Sequence, residues 1–225
     1  MACRCIAAQS AGGCTGLASA IKKTLLASEQ LRPDVAERRR AWVETFQPDM
    51  ANMLERLVFI DETSLKTNLV KATGWAPVGK RLIDHAPFGH WNTQTFIAGL
   101  GCDGLVAPWV LDGAMNRASF EAYVEHELAP ALRKGQIVIA DNLSSHKSPR
   151  AIELLRAKGC DLIFLPPYSP DLNPIEMAFS KLKTMIRKAA ARTYQDLWNT
   201  VGRVCDLFPS QQCSNYFYAA GYGAN

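Results

Sequence analysis

The stretch "RLVFIDET", residues 56–63, decides the fold because an acidic residue directly follows a short apolar run. Residues 57–60 of this run are β-branched, aromatic or leucine, which is typical of a strand covered on both faces. Two later stretches, "QIVIADN" at residues 136–142 and "DLIFL" at residues 161–165, have the same character. We therefore predict three buried strands, the first of which ends on Asp61.

The segments between these strands indicate the remaining architecture. Residues 93–100 and 105–111, separated by a Gly-Cys-Asp-Gly tetrapeptide, predict a β-hairpin. Apolar residues at helical spacing predict helices at residues 117–132, from Ser145 or Ser148 to about Lys158, from Pro174 onward, and at residues 194–207 and 211–220. Strands alternating with helices predict an α/β fold, a mixed sheet with helices on its faces.

Composition indicates a folded chain with atypical ends. The 225 residues are 48% hydrophobic, enough for a substantial core, and the net charge of +4 neither requires nor excludes a nucleic-acid partner. Residues 1–20 are rich in Gly, Ser and Ala and predict a disordered leader. We divide the rest into a helical linker segment (residues 21–54), a central domain (residues 55–192) and C-terminal helices packed on it (residues 193–225).

Membrane and disulfide signals are missing from the sequence. No apolar run approaches the ~20 residues that span a bilayer, and the N-terminal residues lack the continuous apolar segment of a signal peptide. The seven cysteines have no paired metal-ligand spacing, which indicates reduced thiols. We expect a cytoplasmic protein without a membrane partner.

The acidic residues that follow the first two buried strands predict a metal site. A right-handed crossover returns the next strand parallel to the first, so Asp61 and Asp141 converge if their strands are neighbours. Two close carboxylates repel each other unless one is protonated or a cation lies between them. Mg2+ prefers such oxygen ligands, and paired ions about 3.5 to 4 Å apart catalyse phosphoryl transfer in many enzymes.

Glu176 is the third candidate ligand, and it also has a purely structural interpretation. It ends the stretch "LPPYSPDLNPIE", residues 165–176, which contains four prolines. Asn173 could cap the following helix with Pro174 in its first position, and Glu176 would then complete a capping box. Both interpretations remain open at this point.

The helical segment that follows Glu176 contains five cationic side chains. Lys183 and Arg187 fall on the same flank as Glu176, since each is separated from it by a near-whole number of turns. They could bind a phosphate backbone or form a solvated face. The other cations of this segment are Lys181, Lys188 and Arg192. For the separate run Arg38-Arg39-Arg40, a solvated helix face is favoured over a DNA contact.

Three blocks, "LVFIDET", "IVIADNLSSHK" and "FLPPYSPDLNPIEMAFSKLK", together resemble bacterial insertion-sequence transposases related to mariner elements. These enzymes have a DDE catalytic domain of the RNase H-like fold, and the resemblance extends from about Lys22 to the C-terminus. The 34 residues between the second and third acids also have the family's spacing. The resemblance implies that Asp61, Asp141 and Glu176 are the catalytic, metal-binding triad of a domain spanning residues 55–192. It further implies cleavage at element ends and strand transfer into target DNA with two Mg2+ or Mn2+ ions.

The resemblance also suggests residues around the triad. Asn142 is expected beside the site without being a ligand. His146 and Lys147 are candidate DNA contacts, although a satisfied structural histidine is an equal alternative for His146. Lys80 and Arg81, near glycine and proline turn residues, are candidate phosphate contacts.

The N-terminus departs from the family pattern. Full-length relatives begin with helix-turn-helix modules that read the terminal inverted repeats, and residues 1–20 match nothing of that kind. A separately encoded helix-turn-helix part is therefore an expected partner, together with DNA and a second copy in a homodimer on DNA. One alternative is a second-frame product or remnant that binds DNA but is inactive alone. The other is a host RNase H-like nuclease that acts on RNA–DNA hybrids.

Overall fold

Strand β1 (Leu57–Leu65) runs through the middle of the computed structural model, which describes residues 27–66, 69, 74–83, 85, 94–191 and 193–223. Its side chains alternate between two separate hydrophobic clusters. Leu57 and Phe59 enter one cluster, and Val58 and Ile60 enter the other. All four side chains are fully buried. The continuous apolar run in the sequence therefore reflects a strand covered on both faces.

Within the described residues, the sheet has five strands in the order β3-β2-β1-β4-β5. The central strand pairs antiparallel with β2 and parallel with β4, which in turn pairs parallel with β5. The hairpin prediction is confirmed, since β2 and β3 pair antiparallel and Gly104 has the positive φ that the connecting turn requires. The strands other than β1 are β2 (Gln94–Gly101), β3 (Gly104–Asp112), β4 (Ile137–Ala140) and β5 (Asp161–Phe164).

The predicted end of the first strand is wrong. Strand β1 continues four residues beyond Asp61, because Asp61 to Leu65 pair with β2 in the antiparallel ladder. The parallel ladder with β4 does stop at the Ile60–Ala140 pair. Asp61 is thus the first residue of β1 beyond the parallel ladder. Asp141, the first residue after β4, lies at the corresponding point of the neighbouring strand.

The predicted helices between and after the strands are present. Of the two possible caps for the helix before β5, Ser148 is the one observed, because its hydroxyl accepts a hydrogen bond from Ala151 N. The α-helices of the described residues are α1 (Pro33–Ala41), α2 (Gln47–Ala51), α3 (Arg117–Tyr123), α4 (Ala129–Ala131), α5 (Pro149–Ala157), α6 (Ile175–Ala189), α7 (Tyr194–Cys205) and α8 (Ser210–Ala219). π turns at Trp42–Phe46 and Val124–Leu128 join α1 to α2 and α3 to α4.

The helices cover both faces of the sheet and make three layers. Helices α3 and α5 pack on one face through residues such as Phe120, Tyr123 and Leu155. On the opposite face, α6 to α8 and the N-terminal helices form a larger cluster that includes Phe179 and Phe217. The prediction of a mixed sheet flanked by helices is confirmed.

Several other predictions have different outcomes. The predicted leader, residues 1–20, lies outside the described residues, and the proposed domain boundaries stay predictions. Cys102, Cys160, Cys205 and Cys213 are free thiols, as expected. None of the helices in the described part of the chain is long and apolar enough to cross a membrane.

Candidate active site

The three candidate acids line one open cleft of about 400 Å³ at the edge of the sheet where β4 ends. Asp61 and Asp141 reach it because each directly follows the Ile60–Ala140 pair, the last pair of the parallel ladder between β1 and β4. Glu176 reaches it from the first turn of α6. We call this surface the acidic cleft, lined by Asp61, Asp141, Asn142, Leu143, residues 165–170, Asn173 and Glu176.

Asp61 is held from two directions. Its Oδ1 accepts a hydrogen bond from Glu62 N at 2.7 Å, and its Oδ2 accepts one from Asn173 Nδ2 at 2.9 Å. Burial, followed by the negative charges of Asp141 and Glu176, raises the pKa of Asp61 from 3.8 to about 8. Burial, reinforced by the repulsion of the two neighbouring carboxylates, therefore favours a protonated Asp61 in neutral solution without a bound cation.

Asp141 is held by a buried histidine close by in the chain. Its Oδ1 accepts a hydrogen bond from Leu143 N at 3.1 Å and lies 2.6 Å from His146 Nδ1. The other ring nitrogen of His146 lies 3.0 Å from Glu62 Oε2, an ion-pair distance at which neither atom has a well-directed hydrogen bond. The ring also packs 4.5 Å from the Phe120 ring, centroid to centroid. His146 thus bridges Asp141 and Glu62.

His146 is fully buried, so it has no surface to offer a phosphate group. Its contacts are those of a structural histidine, which is the alternative to a DNA contact. Burial alone would lower the pKa of His146, but the hydrogen bond with Asp141 and the neighbouring Glu62 carboxylate raise it from 6.5 to about 9. The imidazole is therefore protonated at neutral pH and forms a charged link between two carboxylates.

Glu176 is exposed at the start of α6, where its backbone N donates to Asn173 O at 3.2 Å. The capping-box prediction is wrong, because the helix has no side-chain cap and the Asn173 amide instead contacts Asp61. Burial raises the pKa of Glu176, Lys183 opposes this rise, and Asp141 adds to it. The predicted placement of Lys183 on the flank of Glu176 is therefore reflected in their charge interaction.

The donor chemistry of the acidic cleft fits a hard divalent cation. All the candidate ligand atoms are oxygens, and the raised pKa values of Asp61 and Glu176 are what a bound cation would reverse. Asn173 Oδ1 is buried and has no hydrogen-bond partner, so it is a further oxygen beside Asp61. In the described residues, however, no three Asp, Glu, His or Cys side chains already form a ligand cluster. The acidic cleft therefore fits a divalent cation through the type of its donor atoms, which are all oxygens, and not through a ligand cluster that is already formed.

The predicted DNA contacts differ in their surroundings. Lys80 and Arg81 are exposed on the segment between β1 and β2, and Lys147 is exposed with its Nζ 6.0 Å from the Phe164 ring centroid. Asn142 lines the acidic cleft next to Asp141. Arg187 is half-buried on α6. None of these positions conflicts with a phosphate contact.

Lys181, which the sequence grouped with the other cations of α6, has a structural role. Its Nζ donates hydrogen bonds to Leu207 O and Gln212 Oε1 and lies 4.4 Å from the Phe208 ring centroid. It thus ties α6 to the C-terminal helices.

Sequence reasoning missed Glu62 and misassigned Asn173. Glu62 follows Asp61 along β1, and alternation along a strand would direct it away from the acidic cleft. Its role depends on His146, which only the fold brings near. For Asn173, the signal was a good local capping pattern, and the competing partner Asp61 is 112 positions away.

A model of the DDE superfamily endonuclease family matches residues 56–214. This chain belongs to that family. Among curated proteins, the transposase of transposable element Tcb2 from Caenorhabditis briggsae is 27% identical over 128 residues, which are 50% of this chain and 46% of the relative. The chain therefore spans about half the length of this curated relative.

Solved structures of Mos1 transposase are similar in fold. The paired-end complex with the left transposon end has a TM-score of 0.76 at 16% identity, covering 91% of this chain and 64% of that chain. The Mos1 mariner paired-end complex with Mn has a TM-score of 0.75 at 17% identity, with the same coverage. At these identities the similarity concerns the fold, and it confirms the predicted RNase H-like architecture.

Proposed function

We propose that this chain is the catalytic part of a DNA transposase, which cuts DNA at the ends of a mobile element and joins those ends to target DNA. The observation that carries the proposal is the convergence of Asp61, Asp141 and Glu176 on one cleft in a chain of the DDE superfamily endonuclease family. The transposases Tcb2 and Mos1 among its relatives support the same activity.

In this proposal, Asp61, Asp141 and Glu176 hold Mg2+ or Mn2+, with two ions as the working number. Bound ions would supply Lewis-acid activation of the attacking oxygen and neutralise charge on the phosphate. The protein's own contribution is to orient the ligand oxygens. Hydrogen bonds from Leu143 N and His146 occupy Oδ1 of Asp141, which leaves Oδ2 for the acidic cleft. The Asn173 amide likewise restrains Oδ2 of Asp61.

DNA is the proposed substrate and partner. The exposed cations Lys80, Arg81 and Lys147 and the α6 residues Lys183 and Arg187 would contact phosphates, and each such contact releases counterions on binding. Asn142 would contribute beside the acidic cleft without ligating an ion. A Mos1 structure containing a transposon end supports this type of substrate.

Further partners follow from the same proposal. The chain would act as a homodimer on DNA, together with a separately encoded helix-turn-helix part that recognises the inverted repeats. The element would be a bacterial insertion sequence, and the protein would be cytoplasmic and nucleoid-associated when bound to DNA.

The direct test is metal-dependent cleavage of a labelled element end, with the helix-turn-helix part supplied in trans. We expect Asp61→Asn, Asp141→Asn and Glu176→Gln each to abolish cleavage, because each removes an anionic metal ligand while retaining the side chain's size. Folding is verified by circular dichroism and DNA affinity by a gel-shift assay. Cleavage that persists in any one folded variant would refute the triad, whereas wild-type binding without cleavage would favour an inactive remnant.

A further inference from the structure

The loop that leads to Glu176 is tied to the N-terminal helix α1. We call residues 165–174 the proline loop. Arg39 of α1 donates to both carboxylate oxygens of Asp171, at 2.9 and 2.7 Å, and to Ser169 Oγ at 2.7 Å. The Arg39 side chain is 19% exposed and that of Asp171 is 45% exposed. The two parallel hydrogen bonds to Asp171 and the third to Ser169 distinguish this contact from a surface ion pair with a single hydrogen bond.

A strained residue of the proline loop is held from the same side. Tyr168 has a φ of 55°, a left-handed conformation that costs about 1 kcal/mol or more in a residue other than glycine. Its carbonyl oxygen accepts hydrogen bonds from Gln30 Nε2 at 2.6 Å and from Arg39 Nη1 at 3.4 Å. The N-terminal helices thus stabilise a loop shape that its own sequence does not favour.

A second connection reaches the end of the proline loop through the core. Trp42 Nε1, in the π turn after α1, donates to the hydroxyl of Tyr222 at 3.0 Å. That hydroxyl donates in turn to Leu172 O at 2.8 Å, and both aromatic side chains are buried. The backbone just before Asn173 is therefore fixed by residues near both ends of the described chain.

The end of the proline loop contacts two of the acidic residues of the cleft. Asn173 follows Leu172 directly, donates to Asp61 Oδ2 and accepts from Glu176 N through its backbone carbonyl. A shift of the loop would move the partner of one candidate ligand and the backbone of another. Displacements of about 1 Å are enough to reduce catalysis about 100-fold in other enzymes.

We propose that Arg39 is a positioning residue, through which α1 holds the proline loop and thereby restrains Asp61 and Glu176 at the acidic cleft. The inference rests on the proposed function for its catalytic consequence. It assigns to the middle arginine of the Arg38-Arg39-Arg40 run a role that differs from that of a solvated face or a DNA contact. Arg39 acts through Asp171 and Ser169 and touches no reacting atom.

The test compares Arg39→Ala with Arg38→Ala in the full chain. Arg38 is the matched control, because it is the adjacent residue of the same run, carries the same charge and pairs with Asp34 of its own helix. Asp171→Ala, the double variant Arg39→Ala/Asp171→Ala and Arg39→Lys complete the set. The readouts are Mn2+ affinity by calorimetry, amide hydrogen exchange of residues 165–176, and the cleavage rate at saturating DNA and metal.

We expect Arg39→Ala to weaken Mn2+ affinity about 10-fold and to slow cleavage by a similar factor, as losses of outer-shell partners do. The apparent KM for DNA should stay within about 2-fold, because no phosphate contact is removed. Asp171→Ala should reduce Mn2+ affinity and the cleavage rate as much as Arg39→Ala does. The double variant should show no larger loss than either single variant, since the two side chains act as one pair. Arg39→Lys keeps the charge without the two-pronged contact and should be intermediate.

Equal Mn2+ affinity and equal loop exchange in Arg39→Ala and Arg38→Ala would overturn the inference. The inference would also be overturned if the loss of Mn2+ affinity in the double variant equalled the product of the losses in Arg39→Ala and Asp171→Ala. If wild-type protein fails to cleave DNA while Arg39→Ala still weakens Mn2+ binding and loosens the proline loop, the transposase proposal fails and the positioning role stands. Arg39→Lys keeps the test valid if Arg39→Ala does not fold.

Discussion

The two aspartates of the acidic cleft are supported in different ways. Asp141 is held by Leu143 and His146, two and five positions further along the chain. Asp61 accepts one hydrogen bond from the adjacent Glu62 N, and its other oxygen is held by Asn173, 112 positions away, in the proline loop that is itself tied to residues near both ends of the described chain. Two adjacent parallel strands thus place similar carboxylates in one cleft. The contacts of Asp141 come from nearby positions of the chain (local support), whereas one of the two contacts of Asp61 comes from a distant position (remote support).

Because of this difference, we expect substitutions near the two aspartates to have different consequences. Local support lies in the turn after β4, and its buried histidine also contacts Glu62 of β1 and the Phe120 ring of α3, so perturbations there act on buried charges. Remote support requires α1, the C-terminal residues and the proline loop to be packed together. We therefore expect the loss of His146 beside Asp141 to alter stability more than the loss of Asn173 beside Asp61, and the loss of Asn173 to alter geometry and metal binding more than stability.

The largest effect should come from Asp61→Asn in protein without metal. The pKa of Asp61 is about 8 in the folded protein against an ordinary 3.8, so folding stability falls as pH rises from 3.8 to 8 and the carboxylate must ionise beside Asp141 and Glu176. Asparagine removes this cost and gives up one of two hydrogen bonds. The net gain should be on the order of 4 kcal/mol at pH 9, measured by urea denaturation with a chelator present.

The same variant provides its own control. At pH 4 the wild-type carboxyl is already protonated in the folded state, so the stability gain should nearly vanish. Saturating Mg2+ should raise the Tm of the wild type and leave that of Asp61→Asn almost unchanged, because a ligand has been removed. A variant less stable than wild type at pH 9 would show that burial and the neighbouring carboxylates do not penalise the ionised form of Asp61.

The second effect, of opposite sign, is expected for His146→Ala. The pKa of His146 is raised from 6.5 to about 9, so its stabilising contribution is complete below 6.5 and is lost as pH rises through 9. Removal of the imidazole should destabilise the metal-free protein by about 3 kcal/mol at pH 6, since it leaves two carboxylates without their cation. The exposed His126→Ala is the control.

Urea denaturation at pH 6, 8 and 10 checks this prediction. The stability difference between wild type and His146→Ala should shrink from pH 6 to pH 10, with most of the change between pH 6.5 and pH 9. A difference that is the same at pH 6 and pH 10 would mean that the buried ring acts through packing against Phe120 rather than through its charge.

The contrast between local and remote support also explains what the sequence could predict. The strands, the hairpin and the helices are encoded by apolar periodicity within short windows, and the order of elements then limits the sheet topology. The sequence predicts the convergence of Asp61 and Asp141 on the condition that their strands are neighbours, and the pairing of β1 with β4 meets that condition. The helix predicted from Pro174 onward likewise follows from apolar spacing, and its residues Ile175, Phe179 and Leu182 lie in the core.

The errors arise where a distant partner competes with a local pattern. Asn173 has the right sequence context for a helix cap, yet its amide bonds to Asp61 because the fold brings that carboxylate within reach. The extension of β1 beyond Asp61 depends on antiparallel pairing with β2, which starts almost 30 residues later, at Gln94. Arg39 looked like part of a solvated run, because nothing in residues 38–40 reveals Asp171.

The smallest effect on stability, and the most specific test of remote support, is expected for Asn173→Ala. The amide makes one hydrogen bond to Asp61, and its Oδ1 is buried without a partner, so its loss should cost only about 1 kcal/mol. Metal affinity should fall about 10-fold all the same, because Asp61 loses the contact that orients Oδ2. Asn199→Ala on the exposed side of α7 is the control for a lost amide.

Calorimetric titration with Mn2+, combined with urea denaturation, separates these two consequences of Asn173→Ala. If remote support acts through this amide, Arg39→Ala and Asn173→Ala lie on one route, and their double variant should bind Mn2+ about as weakly as Asn173→Ala alone. Asn173→Ala combined with His146→Ala should show the product of the two separate losses in Mn2+ affinity, because the local route is independent. Unchanged Mn2+ affinity in Asn173→Ala would show that Asp61 is oriented without the proline loop and that the two aspartates differ only in their burial.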